Sequence, residues 1–272
     1  MKKLLISLLL LVGAFILGAC GGSESASGDK KEITIGATAG PYSDQLKNAI
    51  TPILEKEGYK VKVIEFNDYI QPNNALNEGE LDANLFQHQV YLEQFNKDHD
   101  MDLTPLFAVP TAPIGLYSEK HQSLDDVKEG MKVTLPNDPT NLARALRMLV
   151  GYGWITIKDD VNPTKASEKD IVENKYNLKI QPLEAAQLPR SLGDTDFAFI
   201  NGNYALASGL KFADATDLEK TPEEYMNHFV IRKEEKDQPF VQAIEEAFRS
   251  KEFLEYTNEN LAGYTKPSYL AE

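Results

Sequence analysis

The chain has 272 residues and a formal net charge of −14. An acidic balance of this size argues against a nucleic-acid partner and against adhesion to anionic lipid, both of which would repel it. Cys20 is the single cysteine, so no internal disulfide framework is available.

Lys2 and Lys3 form a basic start, Leu4 to Leu17 an apolar run, and Gly18 and Ala19 place small residues before Cys20. That is the pattern of an export signal, residues 1–19. The run is too short, and too abruptly followed by polar sequence, to make a membrane span the better reading. "LGAC" resembles the lipobox of bacterial lipoproteins, which implies cleavage before Cys20 and a diacylglyceryl group on its thiol. Two acyl chains anchor a protein stably where one does not. Removing residues 1–19 takes away two lysines and leaves a charge of −16. "GGSESASGDKK", Gly21 to Lys31, has no apolar face and reads as a flexible tether of roughly 20 Å. About 240 residues remain, enough for two lobes with cores of their own.

The body opens on "EITIGATA", which alternates as a strand should, followed by helical spacing in "SDQLKNAITPILEKEG" and a second strand in "YKVKVIEF". Strand, helix and strand within this length predict a βαβ unit and a parallel sheet. "NNALNEGELDANLFQHQVYLEQF" predicts a short helix, a turn at Gly79, a strand near Leu81 to Phe86 and another helix. "LFAVPTAPIGLYS" is extended, apolar and interrupted by Pro110 and Pro113, as a crossing between lobes would be. A second α/β pattern follows: strand "KVTLP", helix "NLARALRMLV", strand "LKIQPL", helix "EAAQLPRSL", and strand "DFAFI" entering the loop "NGNYA". "MNHFVIR", residues 226–232, is expected as the return crossing, and "PFVQAIEEAFRSKEFLEYT" as one final helix packed on the first lobe. The inferred architecture is two α/β lobes with a cleft between them.

Three constellations carry chemistry. In "LPNDPTNLARALRMLV", Asp138 suits an N-cap and Pro139 the first helical position. Leu142, Leu146 and Leu149 form the buried stripe, and Arg144, about 200° from Leu142, faces away from it. An arginine near the positive end of a helix needs compensation by water or by an anion, and both readings are open. In "FINGNYA", two asparagines follow a buried-looking strand, although "NG" is also ordinary turn chemistry. Tyr69, Phe86, His88 and Tyr91 cluster near one strand end, where ligands of open α/β sheets bind, although aromatic residues there are commonly core. No G-x-S-x-G, H-E-x-x-H or G-x-x-x-x-G-K-[ST] motif is present, so no enzyme is expected. His88, His99, His121 and His228 match no metal-ligand spacing, and neither metal nor cofactor is expected.

"DANLFQHQVYLEQF", "GLYSEK", "LPNDPTNLARALRML", "LEAAQLPRSL" and "FINGNYA" together, in this order, resemble the NlpA/MetQ family of methionine-binding lipoproteins of ABC importers. The resemblance implies a two-lobed type II periplasmic-binding-protein fold, each lobe a mixed sheet flanked by helices and joined by two crossing segments. Lobe 1 would hold residues 32–111 and 229–272, and lobe 2 residues 112–228, after the lipidated Cys20 and its tether (20–31). It implies capture of methionine, L-methionine foremost, and delivery to a permease driven by a cytoplasmic ATPase. The anchored protein would be a monomer on the extracytoplasmic face of the cell membrane. D-methionine, another apolar amino acid or a short methionine-containing peptide are alternative ligands, and a metal-binding surface lipoprotein is the alternative of another class. By the same resemblance Arg144 would clamp the ligand carboxylate, Asn201 and Asn227 would take the ammonium with Asn203 beside them, and Tyr69, Phe86, His88 and Tyr91 would build the thioether slot. Arg144→Ala is then expected to abolish binding without unfolding the protein. Two positions depart from the family pattern: Val90 stands where a proline is common before Tyr91, and His228 follows Asn227 where an apolar residue is usual.

Overall fold

The computed structural model describes residues 30–162 and 164–270. The export signal, Cys20 and most of the tether lie outside the described residues. Twelve strands follow one another among those described: β1 (Glu32–Thr38), β2 (Lys60–Phe66), β3 (Ala83–His88), β4 (Leu103–Ala108), β5 (Gly115–Tyr117), β6 (Lys132–Pro136), β7 (Ile155–Ile157), β8 (Ile171–Asn174), β9 (Lys179–Leu183), β10 (Phe197–Ile200), β11 (Ala215–Leu218) and β12 (Asn227–Arg232). They form two five-stranded sheets, ordered β2-β1-β3-β12-β4 and β11-β5-β10-β6-β9, and a β7-β8 hairpin.

In the first sheet β1 pairs parallel with β2 and with β3, the crossover geometry predicted for the opening βαβ unit. β12 runs antiparallel between β3 and β4. Its neighbour β3 is buried along its whole length, as an internal strand with both faces covered should be. Ile33, Ile35, Ile50, Leu54, Phe229 and Phe248 meet in the core of this half. The second sheet has its own core, where Leu116, Val133, Leu135, Leu142, Leu146 and Phe197 pack together. Each sheet thus buries its own apolar face, and the polar residues of the site lie at strand ends between the two.

Several elements differ from expectation for identifiable reasons. The first helix is α-helical over Pro41–Gln45 and Thr51–Lys56 but π-helical over Leu46–Ile50. Pro52 lacks the amide that would continue an i→i−4 ladder, and the π turn lies just upstream of that break. "EAAQLPRSL" forms 3-10 turns around Pro189 rather than an α-helix. The expected last helix is two, Pro239–Phe248 and Lys251–Asn260, the second capped by Ser250, whose hydroxyl accepts from the Phe253 amide at 3.1 Å. Apolar residues of both pack on the first core, as expected. The largest correction concerns "MNHFVIR": residues 227–232 are an internal strand of the first sheet, not a crossing. The chain returns through 219–226, after β11 leaves the second sheet. The outward crossing does fall between β4 and β5, through the proline-interrupted segment.

Candidate functional site

A cavity lies beyond the carboxyl ends of β3, β6 and β10, where the two halves meet. This is where open α/β sheets place ligands. Tyr69, Phe86, His88, Tyr91, Arg144, Asn201, Asn203 and Asn227 all line it. The structure therefore brings every candidate residue named from the sequence, apart from the lipidation site Cys20, to one cavity. Tyr42, Gln87 and Asn141 also line it, and sequence reasoning did not single them out.

The Pro139–Gly151 helix begins as predicted. The Asp138 carboxylate caps it, accepting from the Asn141 amide at 3.0 Å, and Pro139 occupies its first turn. Asn141 is the residue that this start makes useful. Its Nδ2 donates to Asp138 at 3.0 and 3.1 Å, which turns its Oδ1 outward. That oxygen accepts from Asn201 Nδ2 at 2.9 Å and lies 3.3 Å from His88 Nε2. Asn201 is thereby held with its own Oδ1 buried and without a hydrogen-bond partner. A buried acceptor left unpaired costs about 1–3 kcal/mol unless something supplies a donor.

His88 has two duties. At the end of β3 its Nδ1 accepts from the Tyr91 amide at 3.0 Å, capping the helix Gln89–His99. Its Nε2 then carries the proton toward Asn141. Burial, followed by the Arg144 charge, pushes its pKa down to about 3, so the ring is neutral at physiological pH. The aromatic wall is mutually packed: Tyr69 stacks on Phe86 at 5.8 Å and lies 5.0 Å from Tyr204, while Tyr91 meets Phe86 edge-on at 5.9 Å. Both tyrosine hydroxyls are used structurally, Tyr69 donating to Asn203 Oδ1 at 2.7 Å and Tyr91 to the Tyr69 carbonyl at 2.8 Å. Tyr91 faces the cavity with Val90 before it. Asn227 Nδ2 donates to the Phe86 carbonyl at 2.9 Å. His228, its neighbour on the strand, points to the other side, where its Nδ1 lies 3.0 Å from the Met226 carbonyl in a separate groove.

Arg144 is 3% exposed, so the solvated reading fails. The helix starts at Pro139, which puts Arg144 in the second turn, where the dipole has largely faded. Its anion is a resident one. Nε donates to both oxygens of Glu219 at 3.0 and 2.9 Å, and Nη2 donates to Oε2. Glu219 follows β11 on the return crossing, and no local pattern marked it. Tyr225, on the same crossing, lies 4.8 Å from the Arg144 guanidinium and 4.9 Å from the His88 ring.

The family model described as NlpA lipoprotein matches residues 33–269. The chain belongs to the NlpA lipoprotein family. It is similar to the D-methionine-binding lipoprotein MetQ of Salmonella typhi, 41% identical over 256 residues and covering 93% of each chain. It is also similar to the methionine-binding lipoprotein MetQ of Bacillus subtilis, 38% identical with 98% of this chain and 99% of that one covered. A nutrient-binding protein from Burkholderia cenocepacia, solved bound to methionine, superposes with a TM-score of 0.81 at 42% identity, covering 86% of this chain and 99% of that one. The fold, two mixed sheets flanked by helices, is of the periplasmic-binding-protein type. As an NlpA lipoprotein the chain is a substrate-binding protein and not an enzyme. Among the described residues no three His, Cys, Asp or Glu side chains converge as a metal site requires, and no helix is long and apolar enough to cross a membrane.

Proposed function

We propose that the chain is a lipid-anchored extracytoplasmic binding protein, monomeric and held through Cys20, that captures methionine between two lobes and delivers it to an ABC permease with its cytoplasmic ATPase. Lobe 1 would comprise residues 32–111 and the chain after the return crossing, and lobe 2 the second sheet and its helices. The observation that carries this reading is the buried Asn201 Oδ1, lined up in the cavity without a donor. An α-ammonium would supply that donor, with Asn227 and Asn203 beside it. Arg144 faces the same space, and with Nε and Nη2 turned to Glu219 its Nη1 remains for the ligand carboxylate. A zwitterion enters such a site only if both charged ends find partners. Tyr69, Phe86, His88 and Tyr91 supply the apolar wall, on which a thioether sulfur makes favourable contacts. The relatives named for methionine and for D-methionine support the same ligand class.

The test is thermal unfolding of the full chain in detergent, stripped of ligand by unfolding and refolding, with and without L- or D-methionine. Ligand at a hundred times its dissociation constant adds about 2.7 kcal/mol, which raises the midpoint of a body this size by roughly 5–10 °C. Arg144→Ala alone is a poor control, because it takes the guanidinium from the buried Glu219 and leaves it only the partly exposed Arg147 at 4.0 Å, which itself destabilises the fold. The double variant Arg144→Gln/Glu219→Gln removes both charges, and the ligand shift is expected to vanish in it. A properly refolded wild-type chain that shifts with neither enantiomer would sink the methionine reading.

A further inference from the structure

The cavity's charge balance is unusual for a site meant to hold an anion. Arg144 is the one charged residue among the described residues that line it, since His88 is neutral there. That single cation is already matched by Glu219, whose side chain is only 7% exposed against 4% for Arg144. A second carboxylate, Asp138, stands behind the amide relay through Asn141 to Asn201 and accepts from Asn141 and Thr140. Arg147 is the nearest further cation, 4.0 Å from Glu219, but it is partly exposed and is shared with Glu224 at 3.6 Å. One buried guanidinium is therefore already matched by one buried carboxylate, with a second, half-buried one behind the amide relay, before any ligand enters.

We infer that Glu219 is a positioning and specificity residue: it orients Arg144 so that one edge of the guanidinium meets the ligand carboxylate, and its charge makes the site reject carboxylates that lack an α-ammonium. This rests on the methionine reading. The geometry supplies the first half. Nε and Nη2 are the edge that points along the return crossing, and both are engaged, so the guanidinium has no freedom to rotate about its long axis. The Tyr225 ring 4.8 Å away restricts it further. Electrostatics supplies the second half. Away from water, an uncompensated charge interacts far more strongly than at a surface. A zwitterion adds no net charge to the three resident groups, whereas a simple carboxylate adds one more negative charge. It also leaves Asn201 Oδ1 facing a hydroxyl or nothing in place of an ammonium. Arginine alone would welcome either compound; arginine backed by glutamate favours the zwitterion.

The discriminating pair is methionine and the 2-hydroxy acid that carries the same side chain, identical except that a hydroxyl replaces the ammonium. Dissociation constants for both are measured by calorimetry on the full chain in detergent, wild type and Glu219→Gln. The wild type should prefer methionine by at least a hundredfold, and Glu219→Gln should reduce that preference at least tenfold by gaining affinity for the hydroxy acid relative to methionine. A residue that only props up the fold would weaken both ligands together and leave the ratio alone. Arg147→Gln provides an arm on the surface that does not depend on a buried substitution folding well: it removes a nearby positive charge and should move the ratio the other way, by about threefold. A wild-type chain that binds methionine, with a ratio unmoved within twofold by either variant, overturns this inference and leaves the methionine reading standing. A wild-type chain that binds neither compound overturns both.

Discussion

His88 is both the cap of one helix and a wall of the cavity, and its protonation is incompatible with either duty. A proton on Nδ1 would face the Tyr91 amide it now accepts from, beside the Arg144 charge. Its folded pKa of about 3 lies below an unfolded value of about 6.5, so below pH 6.5 the unfolded chain takes up a proton that the folded chain refuses. Stability from this residue is complete above about pH 6.5 and is lost as the pH falls toward 3, with a slope of up to about 1.4 kcal/mol per pH unit. Asp138 acts in the opposite sense, because burial raises its pKa, and His228, whose pKa burial lowers, acts in the same sense as His88. The difference between wild type and His88→Asn isolates the one group, since asparagine retains an N-cap acceptor. Urea midpoints of the two proteins should converge by at least half of their pH-dependent separation between pH 6.5 and pH 4; parallel curves would mean that His88 is not the group responsible.

At the scale of elements, the corner between β10 and the helix Gly202–Ala207 was expected as a loop on the strength of "NG". It is a helix start, with Asn201 at the cap position. Gly202 is there for contact and not for a left-handed turn. A Cβ added to it would stand 2.4 Å from the Pro113 carbonyl oxygen and 2.6 Å from Ala112 Cβ. The helix thus presses directly on the outward crossing, and the two flanking asparagines are aimed by that contact. Gly202→Ala forces either the corner or the crossing to move. Overpacking of this kind costs typically about 1–3 kcal/mol, and Asn201 should lose its register with Asn141. The expected result is a chain that still folds, with its midpoint lowered by several degrees and its methionine affinity reduced at least tenfold. Unchanged affinity would show that the corner tolerates displacement.

For the whole molecule, the decisive fact is that the polar residues of the site are buried between the two halves. Arg144, His88, Asn201 and Asn227 are all buried, and tyrosines 69 and 204 from opposite halves pack ring to ring. A solute reaches such a cavity only if the halves part, which the two chain crossings allow as a hinge. Small-angle scattering of ligand-stripped chain should therefore give a larger radius of gyration than the same sample with methionine added, because a ligand held as proposed would contact both halves and favour the closed population. Identical radii would place the closed form as the resting state and require another entry route.

What the sequence by itself determined is what local periodicity and composition can carry. Alternation marked β1 and β2, the Asp138-Pro139 pair marked a helix start, and the apolar stripe of Leu142, Leu146 and Leu149 showed which face that helix buries. The family motifs marked the residues that gather at the cavity. Local patterns were weaker where a single breaker decided the geometry, as at Pro189 and Ser250, or where contact outweighed turn preference, as at Gly202. Only the tertiary structure decided which anion Arg144 meets. Its partner Glu219 lies 75 residues away on a segment with no pattern of its own, and that segment reaches the helix because two sheets with separate cores set the path of the chain between them. The same is true of the Asp138, Asn141 and Asn201 relay, whose last step spans 60 residues. Hydrogen-bond partners at such separations are chosen by where the packed sheets deliver strand ends, and no spacing along the chain encodes that position.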